Sequence, residues 1–264
     1  MKYFQYWIED KHSIRIDGQL KEIKLLVGSN SSIDDAKHEA LLRAKEIEAR
    51  ISKRRPKGEY EAGVREFVSE ILDASNIVTV CRYGASILNT DQYTVLDLDD
   101  YAKSIWDVFK PLKGLSKKER IIFKFEEFLS KNPEIGSDFR IYETANGIRV
   151  IGKKYLDPTD RKYSRLMSKL NVDWLYLILS RKQQCYRARL TPKPYRLGIK
   201  TIKVHTPLVC KTQAYKNWSI MYDDAALNYT VAKYVKSIGR DFSFEKAVRF
   251  HDLQCKSSEE LKLA

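Results

Sequence analysis

What this chain has little of narrows its chemistry first. It carries four cysteines and four histidines in 264 residues. Cys81, Cys185, Cys210 and Cys255 lie far apart and show neither zinc-finger nor redox spacing, and a cytosolic chain of this size needs no disulfide staple. His12, His38, His205 and His251 form no HxxxH or HExxH pattern, which argues against zinc chemistry and a Cys–His nucleophile. Seven prolines and eleven glycines exclude a collagen-like or Pro-rich chain. No run approaches the ~18 consecutive apolar residues of a membrane span. The stretch from Met1 to Glu9 is too polar and aromatic for a signal peptide, so the cytoplasm is the expected compartment.

Acidic residues are also scarce where it matters. The chain has 48 basic and 35 acidic residues, a net charge of +13. Between Asp173 and Asp223 there is no acidic residue at all, while Arg181, Arg187, Arg189, Lys193, Arg196, Lys200 and further lysines are interleaved with Tyr186, Tyr195, Tyr215 and Trp218. Such a segment makes a local positive field with aromatic faces for bases, and DNA or RNA is the expected polyanion. Hydrophobic residues at 43% and charged residues at 31% support a sizeable core under a charged surface and exclude a disordered chain. The length fits one large or two closely joined domains.

The order of elements alternates. Tyr3 to Ile8, Ile14 to Ile16 and Ile23 to Val27 read as strands around the turn Asp17–Gly18. A helix capped by Ser32 places Ile33, Ala36, Ala40, Ala44, Ile47 and Ile51 on one stripe and ends at 54–58. Val64, Phe67, Val68, Ile71 and Leu72 predict a second amphipathic helix. Strands follow at Ile77–Val80 and Tyr93–Leu98, then a helix opened by the capping box Ser116–Glu119. Phe139–Glu143 and Ile148–Ile151 form a hairpin around Ala145-Asn146-Gly147. Asp157–Pro158 opens a helix carrying Tyr163, Leu166, Met167 and Leu170, and Tyr186–Leu190 is a strand. Asp223 or Asp224 is expected to cap a helix with Leu227, Val231, Tyr234, Val235 and Ile238, closed by Gly239. Ser243 starts a last helix, and the polar tail after Cys255 is expected to fray. The mixture is α/β or α+β in two lobes, with a boundary near 54–60: residues 1–57 as strands plus helix, and 58–264 as the main core.

Three clusters could carry chemistry. In Thr94-Val-Leu-Asp97-Leu-Asp99-Asp100, strand alternation puts Asp97 and Asp99 on one face. Two carboxylates so close repel unless a cation lies between them, which suits Mg²⁺ or Mn²⁺ against a substrate phosphate; the alternative is a strand end passing into a helix-capping turn. At the hairpin, Thr144 and Arg149 flank a Gly turn with open amides, a phosphate-binding set or an ordinary polar hairpin. In Arg187-Ala-Arg189-Leu-Thr-Pro-Lys193-Pro-Tyr195-Arg196 the first two arginines share a strand face, and two prolines stiffen the exit around Lys193, a frame that suits a triphosphate or a nucleic-acid backbone. Arg82-Tyr83-Gly84, a strand-end loop, and Lys200 join Tyr195 and Arg196 as lesser nucleic-acid contacts.

An acidic DxD strand, a Thr-x-x-Gly hairpin and a basic strand and loop, in that order over about residues 76–200, resemble the catalytic core of the archaeo-eukaryotic primase (primase-polymerase) superfamily. The segments Arg82-Tyr83-Gly84-Ala85, Leu96-Asp-Leu-Asp99 and Tyr186–Arg196 are also similar to a group of uncharacterised bacterial proteins. The resemblance implies an α+β, two-lobed fold with an RRM-like antiparallel sheet and flanking helices. It implies Asp97 and Asp99 as a catalytic, metal-binding pair, with a nucleoside triphosphate and a nucleic-acid strand as partners. The family has a His near the second motif where this chain has Arg149, and a third acid for which Asp173 is the nearest equivalent. Two readings result: a metal-dependent nucleotidyltransferase of primase or polymerase type, or a catalytically silent nucleic-acid-binding module. An enzyme acting on another phosphorylated substrate is a distant third.

Overall fold

A computed structural model describes residues 1–53, 64–101 and 103–264. The expected boundary at 57/58 and the stop signal at 54–58 lie outside the described residues. The protein is α+β, with antiparallel sheets and six helices among those residues.

The first 53 residues form their own layer. β1 (Tyr6–Ile16) and β2 (Gln19–Ser29) pair in an unbroken antiparallel register around Asp17–Gly18, both at positive φ. α1 (Ile33–Ser52) starts where the Ser32 hydroxyl accepts from Asp35 N. It buries Ala36, Ala40 and Ala44, small residues that let a helix lie close on the hairpin.

Two four-stranded sheets make the body. The first runs β3 (Phe67–Asp73), β4 (Asn76–Val80), β5 (Ser86–Thr90), β9 (Tyr186–Arg189). The second runs β11 (Lys233–Ile238), β7 (Phe139–Glu143), β8 (Ile148–Gly152), β6 (Thr94–Leu98), with the hairpin strands at its centre. One apolar core joins them: Leu72, Val78, Leu88, Tyr186 and Ala188 from the first, and Val95, Leu96, Ile141, Tyr142 and Val150 from the second. Tyr176 clamps the seam, its hydroxyl donating to Val95 O at 2.8 Å while accepting from Arg187 N at 3.3 Å.

Helices cover both sheets. α2 (Lys117–Lys131) opens with the expected capping box, Glu119 accepting from Ser116 N at 2.7 Å, and buries Ile121 and Phe125. α3 (Arg161–Lys169) and α4 (Trp174–Gln183) follow the hairpin. α5 (Gln213–Ala226), capped by Thr212, sets Trp218 and Tyr222 against Cys81, Ala85 and Ile87, and α6 (Lys246–Cys255) lays His251 on the second sheet beside Tyr142, ring centres 4.9 Å apart.

Several expectations are corrected. Residues 67–73 are a strand, not a helix. Residues 227–239 hold β10 (Tyr229–Thr230) and β11 rather than a helix, and Asp223 and Asp224 lie in the last turn of α5 instead of capping anything. Asp160, not Asp157, caps α3, and α6 starts three residues beyond Ser243. The tail does not fray: β12 (Lys262–Leu263) pairs in parallel with β10, and Ala264 is buried.

Candidate functional site

The seam between the sheets brings Asp97 and Arg149 together and sets the β9 backbone at Arg189 against them. β6 pairs with β8 so that Asp97 stands directly opposite Arg149. Neighbours across an antiparallel pair point to the same face, so the carboxylate and guanidinium meet by register alone. Arg149 Nε donates to Asp97 Oδ1 at 2.8 Å and Nη2 to Oδ2 at 3.1 Å. The remaining nitrogen, Nη1, donates to the Arg189 carbonyl on β9 at 2.7 Å and contacts His251 Nε2 at 3.2 Å. All three nitrogens of this fully buried arginine are therefore engaged.

The Asp97 side chain, by contrast, is 43% exposed, at the mouth of the seam. Crowding by protein pushes its carboxyl pKa up, but Arg149, with Arg189 and His251 behind it, more than reverses this and holds it below the ordinary 3.8. Asp99 lies one step beyond the strand and is exposed. Asp100 accepts from the next residue's amide, Tyr101 N, at 2.9 Å, and the first helical turn among the described residues after β6 begins only at Ile105, so the alternative of a cap for a helix from Tyr101 is not met.

The hairpin presses on that strand end. A Cβ on Gly147 would lie 2.1 Å from Leu98 O and 2.8 Å from Asp99 Cα. Only glycine permits the approach. Thr144 is buried, and its Oγ1 accepts from Gly147 N at 3.2 Å, so the turn closes on itself and that amide is not open to a phosphate.

On β9, Arg187 and Arg189 share a face as alternation requires, but their environments differ. Arg187 Nη2 reaches Glu66 Oε2 at 2.6 Å. Arg189 has no carboxylate partner among the described residues, and its Nε makes no hydrogen bond. Its charge acts on Asp97, Tyr83, Tyr195 and Tyr222. Burial pushes the Tyr83 hydroxyl up to about 12, whereas the hydrogen bond from Arg196 lowers that of exposed Tyr195. Lys193 Nζ and Arg196 Cζ each lie 5.9 Å from the Tyr195 ring centre. The loop is held from below, where the buried Tyr222 hydroxyl donates to Pro192 O and Trp218 Nε1 donates to Lys200 O at 2.8 Å. Arg82 is exposed, and its carbonyl accepts from Val204 N at 2.9 Å.

Asp173 does not join this group. Its carboxylate accepts from Leu175 N and Tyr176 N as the cap of α4. The groups sequence reasoning missed are His251, Asp252 and Arg140. His251 Nδ1 lies 3.0 Å from Asp252 Oδ1, and Arg140 Nη2 donates to Asp252 Oδ2 at 2.8 Å while also pairing with Asp241. The signal was faint: a charged residue inside the apolar run Phe139-Arg-Ile-Tyr and a His-Asp pair in a C-terminal helix.

Among the described residues no three His, Cys, Asp or Glu side chains converge as a metal cage. Mg²⁺ needs no such cage, since one or two carboxylates plus water and substrate phosphate can complete its shell, but both Asp97 oxygens here already accept from Arg149. No protein-family model, no curated protein and no solved structure matches the chain.

Proposed function

We propose that this chain binds nucleic acid and acts as a metal-dependent nucleotidyltransferase of the primase-polymerase kind, with its site at the seam of β6, β8 and β9. The observation that carries the reading is Arg189. Arg140, Arg149 and Arg187 are each matched by a carboxylate, while Arg189 beside Asp97 is not. A guanidinium without an ion pair among the described residues, with Lys193 and Arg196 following it on a braced loop, is a phosphate-binding arrangement. Exposed Tyr195 supplies a face for a base.

In this mechanism Arg189 and Lys193 hold the triphosphate, Tyr195 and Arg196 hold the strand, and Asp97 is aimed by its two bonds from Arg149. Mg²⁺ or Mn²⁺ held by Asp97 and Asp99 would neutralise the charge that develops on the phosphate oxygens. The succession β6, α2, β7, β8, two helices and later β11 follows the strand–helix alternation of an RRM-like fold, but the sheet itself does not follow that fold's order: β6 lies at an edge and β7 inside, where an RRM-like sheet has its first strand inside and its second at an edge.

The silent nucleic-acid-binding module is favoured by one observation: Arg149 already satisfies both Asp97 oxygens. Primer-extension and de novo priming assays with Mg²⁺ and with Mn²⁺, over all ribo- and deoxynucleotides, decide between them. Asp99→Asn is the informative variant, because Asp99 is exposed and Asp97→Ala would strand a buried arginine. Incorporation by the wild type, lost in Asp99→Asn with strand binding retained, supports the enzyme. Folded protein that binds DNA or RNA and incorporates nothing under any condition supports the silent module.

A further inference from the structure

We propose that the outward face of α4 docks a segment of another protein, one that carries apolar anchors and acidic residues at one end. This face is separate from the phosphate-binding seam, and the inference does not rest on the nucleotidyltransferase reading.

α4 is apolar on both sides. Its inner side is used: Tyr176 clamps β6 to β9, and Ser180 is buried. Its outer side shows Trp174 at 69%, Leu175 at 50%, Ile178 at 37% and Leu179 at 40% exposure. Positions i, i+1, i+4 and i+5 fall on one stripe of a helix, so these four side chains form a continuous apolar surface on two turns. Scattered exposed leucines need no explanation, but a contiguous stripe rimmed by charge marks an interaction surface.

The rim specifies the occupant. At the N-terminal end of the stripe stands the Asp173 carboxylate, and at the C-terminal end stand exposed Arg181 and Lys182. α3 runs alongside, joined by Arg181 Nη2 donating to Ser164 Oγ at 2.9 Å, and adds exposed Arg165 and Lys169. Among the described residues none of these four cations has a carboxylate partner. A second copy could offer these four cations only its own Asp173, a carboxylate already spent on the Leu175 and Tyr176 amides. Nucleic acid would set sugars and phosphates against Leu175, Ile178 and Leu179, which neither stack nor hydrogen-bond. An anionic lipid surface would meet the Asp173 carboxylate beside Trp174, the most exposed anchor. A protein segment with apolar side chains for the stripe and Asp or Glu for the basic end satisfies every part of the rim.

The experiment places a photo-crosslinking benzophenone amino acid at Ile178 of the full chain in its source cells. The expected product is a crosslink to a discrete protein, mapped to an apolar segment flanked by Asp or Glu. The synthetic peptide of that segment should then bind the purified chain. Leu175→Gln with Leu179→Gln, and separately Arg181→Glu with Lys182→Glu, should each weaken peptide binding at least about tenfold while leaving the unfolding midpoint unchanged. Crosslinks to nucleic acid, lipid or a second copy overturn the proposal. So do no crosslink at all, a mapped segment without acidic residues, or peptide binding that ignores either double substitution. Nucleic-acid affinity of the Leu175→Gln, Leu179→Gln variant serves as a separate readout, since a failure here leaves the phosphate seam untouched.

Discussion

Asp97 and Arg149 face each other across β6 and β8, joined by two bonds of 2.8 and 3.1 Å, with the arginine wholly buried and the carboxylate open to solvent on one side. The pair does two jobs that pull against each other. It fixes the carboxylate at the mouth of the seam, and it supplies the positive charge a metal ion would otherwise supply. Behind it, Arg149 ties β8 to the β9 backbone and to His251 of α6, so one side chain links both sheets and the C-terminal helix.

The two aspartates should therefore differ in stability cost. Asp97→Ala leaves a fully buried guanidinium without its counter-charge, a change that typically costs about 3–5 kcal/mol, with the lower end expected because water reaches Asp97. Asp99→Ala, at an exposed position, should stay within about 0.5 kcal/mol. Urea unfolding of both variants, compared by midpoint at constant slope, checks the difference.

The same pair predicts an acid dependence. The folded-state pKa of Asp97 lies below its ordinary 3.8, and Ser243 with Ser237 and Arg140 lowers that of Asp241 to about 2. The unfolded chain then binds protons more readily than the folded protein, so both groups stabilise fully above pH ~4 to 5 and lose that contribution as pH falls toward about 2. Between pH 5 and 7 they contribute no slope. Asp97→Asn should lower the neutral plateau of a stability-versus-pH curve and flatten its acid limb, leaving the curve between pH 5 and 7 level, and an unchanged acid limb would show that Arg149 does not hold the carboxylate charged.

Much of this arrangement was legible in the sequence, and the exceptions have a physical cause. The capping box at Ser116, the hairpin around Gly147 and the alternation of β6 and β9 follow local rules, and the structure keeps them. Residues 67–73 and 227–239 carry apolar residues at steps of three and four, the spacing of a helix, yet form strands. In β3 the register shifts between Val68 and Glu70 and again between Ile71 and Asp73, and in β11 between Tyr234 and Lys236. A bulge adds one residue to one strand, so the period of two breaks into a spacing that imitates a helix. The cluster of Arg140, His251 and Asp252 was illegible for another reason: its members come from two elements whose meeting is set only by tertiary packing.

Gly147 gives a test of how the hairpin supports Asp99. Its φ is not positive, so backbone conformation is no obstacle to a side chain there. The obstacle is steric, with Leu98 O only 2.1 Å from where a Cβ would stand. A backbone carbonyl cannot swing aside as a side-chain tip can. Gly147→Ala should cost about 1–3 kcal/mol or more and push the turn away from β6. Amide exchange at Leu98 and Asp99 should quicken together with the loss of stability. Wild-type exchange at both amides would mean the hairpin does not brace the strand end.

Nucleic-acid binding tests the seam itself. If Arg189, Lys193 and Arg196 contact phosphates, affinity should fall steeply with salt, by about 0.9 in log K per log unit of salt for each phosphate neutralised on duplex DNA. Lys193→Glu with Arg196→Glu should weaken binding and reduce that slope, because each lost contact releases fewer counterions. Neither side chain makes an ion pair among the described residues, so the unfolding free energy should move by no more than about 0.5 kcal/mol. Arg189→Ala distinguishes the inner position from the loop. Its backbone carbonyl, which accepts from Arg149, survives the substitution, and its side chain has no carboxylate to leave unpaired. It should therefore fold, bind a nucleic-acid strand nearly as the wild type does, and lose affinity for a nucleoside triphosphate measured by calorimetry. Triphosphate binding that is indifferent to Arg189 would remove the one observation on which the nucleotidyltransferase reading depends, while the salt dependence of the loop variants would still stand as evidence for a nucleic-acid surface.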